Sequence, residues 1–196
     1  IENTQPFSFE NLVFAHNGTL NIPDEVASAL GNDRTRIRGI NDSEVLFWLF
    51  VKTWRENSFC RKTKERWRLT FQKMARSVHR IWRAIPKNRK KHPVPFSGLN
   101  FVASDGKSLA AHCHYDNADG RSPTTSEGSG TTRSCSVGKS LCGQNRPYFE
   151  MCYNMLNQRV VIASEPMNRD GTWRRIPNRH VLVVSPDGAS SLEQVS

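Results

Sequence analysis

The sequence predicts a mixed α+β fold with a largely antiparallel sheet, and three observations carry that reading. Short apolar runs broken by Asn-Gly and Asp-Gly dipeptides read as strands joined by tight turns. Residues 62–85 carry apolar side chains at three- and four-residue steps, the spacing of one helix face, and a helix-start signature at Asn41 precedes another apolar run. Strand-like runs resume from Leu99, so strands flank the helices instead of alternating with them.

Taken in order, "VFAHNGTL" (Val13–Leu20) reads as strand, turn, strand, because both central residues of an Asn-Gly turn must tolerate positive φ. Pro23 to Leu30 reads as a short helix closed by Gly31. Asn41 stands three residues before Glu44, the spacing of a capping box, and a strongly apolar run follows. From Lys62 to Ile85, Trp67, Phe71, Met74, Val78, Ile81, Trp82 and Ile85 form one stripe, Arg and Lys fill the opposite face, and Pro86 ends the helix. "LNFVASDGKSLAAHCHY" is a hairpin about Asp105-Gly106. Residues 116–140 are Gly-, Ser- and Thr-rich and read as a flexible loop. Arg159–Ser164 and His180–Val184 are strands with Asp170-Gly171 turning between them, and residues 185–196 read as a disordered tail.

The totals narrow the class. At 196 residues the chain is long enough for one buried core, with the domain expected over 1–184. No apolar run approaches the roughly eighteen residues of a membrane span, so no membrane partner is expected. "IENTQPF" lacks the basic start and apolar core of a signal peptide, and opening on Ile1 implies a processed or truncated chain. Five scattered cysteines, an odd number, point to a reducing cytoplasm. Asn17-Gly18-Thr19 matches a glycosylation sequon, but nothing else suggests secretion.

The charge is uneven. Fifteen Lys/Arg and two Glu between Lys52 and Lys91 make a local +13, so the rest of the chain carries −3 of the +10 total. Clustered cations supply phosphate affinity. Here no nucleic-acid motif accompanies them and the aromatics lie on the apolar stripe, so a solvated helix face is expected and nucleic acid is not.

Other chemistry falls away on spacing. Gly138-Lys139-Ser140 and Gly106-Lys107-Ser108 lack the earlier glycine of a phosphate loop, those positions being Arg133 and Phe101. His112, Cys113, His114, Cys135 and Cys142 lack the short paired spacings of structural zinc, so no metal is expected.

Asn3-Thr4-Gln5-Pro6-Phe7, Ala15-His16-Asn17-Gly18, Asn41-Asp42-Ser43-Glu44, Leu99-Asn100-Phe101, Asp105-Gly106 and Val161-Ile162-Ala163-Ser164-Glu165-Pro166, with Trp173 downstream, remain. In that order they resemble the class-II, N-terminal-nucleophile glutamine amidotransferases. The likeness is to their stand-alone, hydrolase-like branch, which includes ergothioneine-pathway and glutathione-degrading amidohydrolases.

The resemblance implies an Ntn-hydrolase-like αββα sandwich, here N-terminally incomplete and carrying the basic amphipathic helix. It implies hydrolysis of a γ-glutamyl amide, glutamine or a γ-glutamyl compound, through a Cys thioester, with no cofactor. Asn17 and Gly18 would form the oxyanion hole, a chemistry a fixed carboxamide and a glycine N–H suit. Asp42 would bind the substrate's α-ammonium group, with Glu44 as the capping partner.

The family's nucleophile is a cysteine at the mature N-terminus whose own α-amine is the base. Residue 1 is Ile and the first cysteine, Cys60, stands in another segment; the family's substrate-carboxylate arginine precedes the matched region too. Gln5 replaces the usual His, and Asn41 the usual Thr. The 196 residues alone are therefore expected to show no glutaminase activity, the absent part coming from a missing N-terminal segment or a partner chain. The alternatives are a non-catalytic degenerate scaffold of the same fold and a basic nucleic-acid-binding protein.

Overall fold

The computed structural model describes residues 3–115, 150–156, 159–168 and 171–195. Phe-Ser-Phe and Leu-Val-Phe-Ala-His-Asn form β1 (Phe7–Phe9) and β2 (Leu12–Asn17), joined by a turn in which Glu10 takes φ 53°. Three helices follow, α1 (Pro23–Ala29), α2 (Asp42–Glu56) and α3 (Thr63–Ala84). β3 (Asn100–Ser104) and β4 (Leu109–Cys113) make the expected hairpin, whose turn forms because Asp105 Oδ1 accepts the N–H groups of Lys107 and Ser108. The remaining strands are β5 (Met151–Leu156), β6 (Arg159–Ala163), β7 (Arg174–Ile176), β8 (His180–Val184) and β9 (Ser190–Gln194).

Six strands pair in the order β1-β2-β3-β4-β8-β9 and three in the order β6-β5-β7, antiparallel throughout. The α+β reading with antiparallel sheets therefore holds. Among the described residues no helix is long and apolar enough to cross a membrane.

Strand alternation sorts the core into two parts. Leu12, Phe14, Phe101, Ala103, Ala110, Val181 and Val183 on one face of the larger sheet join Phe47, Phe50, Trp67, Phe71, Met74 and Val78 from α2 and α3. Ala111, Cys113, Leu182 and Val184 on the other face meet Met151, Tyr153 and Ile176 of the smaller sheet. The result is a helical layer, a sheet and a second sheet. Aromatic rings tie the first two layers together. Phe14 lies 5.0 Å from Phe101 and 5.4 Å from Phe50, and Phe50 stacks on Trp67 at 5.9 Å. Truncating a ring buried this fully costs about 3–5 kcal/mol, so these contacts fix where α2 sits on β2.

Three expectations are corrected. Asn17-Gly18 does not close a hairpin: β2 pairs with β1 and β3, while Leu20 bridges Phe96. The capping box is half formed. Asn41 Oδ1 accepts the Ser43 N–H at 2.9 Å, but the Glu44 carboxylate reaches past Asn41 to the N–H groups of Arg38 and Gly39 at 2.9 and 2.7 Å. Residues 185–196, expected as a disordered tail, instead carry β9, paired with β8. Pro186-Asp187-Gly188 supplies the turn, with the Gly188 N–H on the Ser185 carbonyl, and Val195 packs into the core at 5% exposure. The expected loop at 116–140, with Cys135 and Cys142, lies outside the described residues, as does Asp170.

His112 and His114 point from β4 and its end towards the helices, while Cys113 faces the smaller sheet. The His112 ring is fully buried, stacks on Phe71 at 5.4 Å, and among the described residues hydrogen-bonds only through Nδ1, to the Leu99 carbonyl at 3.0 Å. Desolvation lowers its pKa from 6.5 to about 4, against the opposing pull of that carbonyl. The unfolded chain thus takes up this proton first. Its contribution to stability is intact above pH 6.5 and is lost as pH falls towards 4. Stability should drop by about 2 kcal/mol from this group between pH 7 and pH 5. Denaturant midpoints of wild type and His112→Phe, which keeps the ring stack, check this: the variant should lose that part of the acid decline.

Candidate functional site

Alternation along β2 turns Leu12, Phe14 and His16 towards the helices and Val13, Ala15 and Asn17 to the other face. The smaller sheet leaves this corner of that face open: Val13 is 41% exposed and Asn17 is exposed. The Asn17 carboxamide makes no hydrogen bond to another described residue.

On the buried side, His16 ties three segments together. Its Nε2 lies 3.0 Å from the Gly98 carbonyl and its Nδ1 2.9 Å from the Ser43 hydroxyl. A carbonyl only accepts, so Nε2 carries the proton and Nδ1 accepts from Ser43. Ser43 oxygen in turn accepts from Gln5 Nε2 at 3.4 Å. The same Gln5 amide donates to the His16 carbonyl at 3.0 Å, and its Oε1 accepts the His16 N–H. The Gln5 side chain thus pairs with the backbone of His16 as a neighbouring strand would. Burial lowers the His16 pKa, opposed by the Gly98 carbonyl and by Asp42, so the ring is neutral near pH 7.

Gly18 follows with φ +154°, and a Cβ there would stand 2.1 Å from the Gly98 oxygen. No side chain fits, so the backbone at residue 18 passes directly over Gly98. Asp42, the first residue of α2, then accepts the Leu20 N–H through Oδ2 at 2.6 Å. A carboxylate is favoured there by the positive end of the helix dipole. Asn3 braces this turn: its Oδ1 accepts the Ile40 N–H and its carbonyl accepts from Asn41 Nδ2.

The structure therefore brings Asn17, Gly18 and Asp42 into one corner, where β2 meets the start of α2. Sequence reasoning singled out Gln5 as a substitution bearing on hydrogen bonding near the site, but assigned no part to Ser43, Gly98 or the His16 ring. The buried position of His16 on the apolar face of its strand was the one available signal. Its partners lie 11 to 82 positions away in sequence, beyond any local pattern.

The three described cysteines stand elsewhere. Cys60 lies between α2 and α3, Cys152 is buried on β5, and Cys113 is fully buried with its thiol pushed up to about 12 by desolvation. A buried thiol of that pKa is unreactive. Val161–Ala163 lie in β6, where Ile162 packs between the sheets, and the Trp173 indole donates to Asn168 Oδ1 at 2.7 Å. Glu44 is taken up by Arg38 and Gly39 and borders a 500 Å³ cleft with Phe7, Phe9, Phe47, Trp48 and Arg36.

Gly18→Ala should destabilise the protein by more than about 2 kcal/mol, because the obstructing atom is backbone. A double-mutant cycle on His16→Ala and Ser43→Ala should return a coupling of about 1 kcal/mol in denaturant unfolding, whereas strictly additive losses would contradict the shared hydrogen bond.

Known structures share this fold. The whole chain superposes on a glutamine aminotransferase class-II domain protein from Silicibacter pomeroyi, with a TM-score of 0.64, 18% identity and 72% of that chain covered. It superposes equally fully on the glutamine phosphoribosylpyrophosphate amidotransferase of B. subtilis, with a TM-score of 0.57 and 17% identity, spanning 32% of that longer chain. A predicted glutamine amidotransferase from Pseudomonas aeruginosa matches 97% of this chain and 65% of its own, with a TM-score of 0.56 and 15% identity. No protein-family model and no curated protein matches the sequence. At these identities the likeness is one of fold, and the chain has the fold of class-II glutamine amidotransferase domains.

Proposed function

We propose that this chain supplies the oxyanion-stabilising and substrate-binding part of a cytoplasmic, class-II type amidotransferase site acting on glutamine or another γ-glutamyl compound. One observation supports this most: the Gln5–Ser43–His16–Gly98 hydrogen bonds fix the backbone at 16–18 while the Asn17 carboxamide beside it stays exposed, with no partner among the described residues. Groups held this way cost little reorganisation when charge develops on a substrate oxygen.

In the complete site a cysteine thiolate attacks the γ-carbonyl carbon, and the electron pair of the C=O bond moves to oxygen. Asn17 Nδ2 and the Gly18 N–H donate to that oxygen. The oxyanion's electron pair re-forms the C=O bond as the C–N bond breaks. The cysteine's α-amine, which took the thiol proton, passes it to the leaving nitrogen so that ammonia departs. Water then cleaves the thioester, releasing the carboxylic acid and restoring the thiol. Asp42 holds the α-ammonium through its carboxylate, one oxygen of which already accepts from Leu20. No step requires a metal or cofactor. The nucleophile belongs to a segment or partner chain outside these 196 residues, and a second helical layer would complete the αββα sandwich.

Titrating L-glutamine into the purified protein tests the binding half of this reading. Saturable binding is expected, weakened about tenfold or more by Asp42→Asn, which keeps the acceptor for Leu20 but removes the charge. Asn17→Ala should leave that affinity nearly unchanged. In a polypeptide that supplies the cysteine, the same substitution should lower kcat by about 10²–10³. The 196 residues alone should release no ammonia from glutamine. No glutamine binding, or binding indifferent to Asp42→Asn, would contradict the proposal and favour a non-catalytic scaffold.

A further inference from the structure

The cations of α2 and α3 differ in their partners. Arg68 pairs with Glu65 and Glu193, and Lys52 and Lys73 share Glu56, while Lys64 has no ion pair with a described residue and Arg66 lies over the Trp54 ring at 3.9 Å. Beyond Lys73 no cation of α3 pairs with a described carboxylate. Arg76, Arg80, Arg83, Lys87, Arg89 and Lys91 are all exposed, and none makes an ion pair with a described residue. No Asp or Glu occurs between Glu65 and Asp105.

These side chains are also aligned. At about 100° per residue, Arg76, Arg80 and Arg83 lie within roughly 60° of arc, rising about 10 Å along the helix, and Lys87 follows in the short 3-10 turn after its end. The opposite face of α3 is occupied by the core, with Trp67, Phe71, Met74 and Val78 fully buried. The row is therefore not a by-product of packing. Among the described residues beside it no large apolar side chain is exposed to enter a bilayer. Trp82, half-buried beside it, has Lys90 Nζ 3.7 Å above its ring. Long cations along one helix edge, without an acidic partner among the described residues, match an array of phosphates.

We propose that the exposed row Arg76, Arg80, Arg83 and Lys87 docks the phosphodiester backbone of a nucleic acid, independently of base sequence. Contacts limited to phosphate give a binding constant that falls linearly with log salt.

Fluorescence anisotropy of labelled 15-nucleotide RNA and 15-base-pair DNA, titrated with the full chain from 50 to 200 mM salt, tests this. Binding at 50 mM is expected, with a log–log salt slope of about −3 for single strands if four phosphates are neutralised. Replacing all four cations with Gln should weaken binding at least tenfold and flatten the slope. A charge-matched control, Arg34, Lys107, Arg159 and Arg174 to Gln, should stay within about twofold. All these positions are exposed, so circular dichroism should report unchanged folding for both variants. No binding at 50 mM, or equal loss in the control, would overturn the proposal. So would tighter binding to vesicles containing phosphatidylserine than to either nucleic acid.

Discussion

The His16 imidazole, held between the Ser43 hydroxyl and the Gly98 carbonyl, is the contact on which this corner of the molecule depends. It joins a strand end, a helix start and the segment entering β3. Because the ring is buried and neutral, both nitrogens must be satisfied, and their partners sit at fixed distances. That requirement sets the height of β2 relative to the first turn of α2. Gly18 then crosses Gly98 with no room for a side chain, and Asp42 reaches the backbone two residues later. The aromatic core beneath supplies the rigidity: Phe14 on β2 packs against Phe47 and Phe50 on α2, one and two turns from Asp42.

Polar groups at this corner divide by function. Gln5, Asn3, Asn41 and Glu44 are committed to backbone atoms and shape the turn before α2. Asn17 is not committed, and it projects where the smaller sheet does not cover the larger one. Gln5 shows how a change of residue type is absorbed: one carboxamide meets both backbone groups of His16 and still reaches Ser43.

Local physics was legible in the sequence wherever the partner was close in the chain. The α3 stripe, the Asp105-Gly106 hairpin and the Asn41 cap each follow from side chains a few positions apart. The hairpin at Asn17-Gly18 failed because its glycine answers to Gly98, eighty residues on, not to the next strand. The tail failed because its Ser-rich strand alternates weakly, and pairing with β8, the burial of Val195 and the Arg68–Glu193 ion pair hold it from elsewhere in the chain. The motifs located Asn17, Gly18 and Asp42, while the hydrogen bonds that hold them could be seen only once the chain was folded. The basic segment shows the reverse: its composition was plain, but the split between paired and unpaired cations appeared with the structure.

The central claim is that the β2–α2 corner receives the γ-carbonyl and α-ammonium of one substrate. Amide chemical shifts of the isotope-labelled protein, followed as L-glutamine is added, test it most directly. The account predicts that the largest changes fall on the Gly18 N–H, the Asn17 side-chain amide and the Leu20 N–H beside Asp42. Changes centred instead on the cleft of Phe7, Phe9 and Trp48, with Gly18 and Asn17 unmoved, would contradict it.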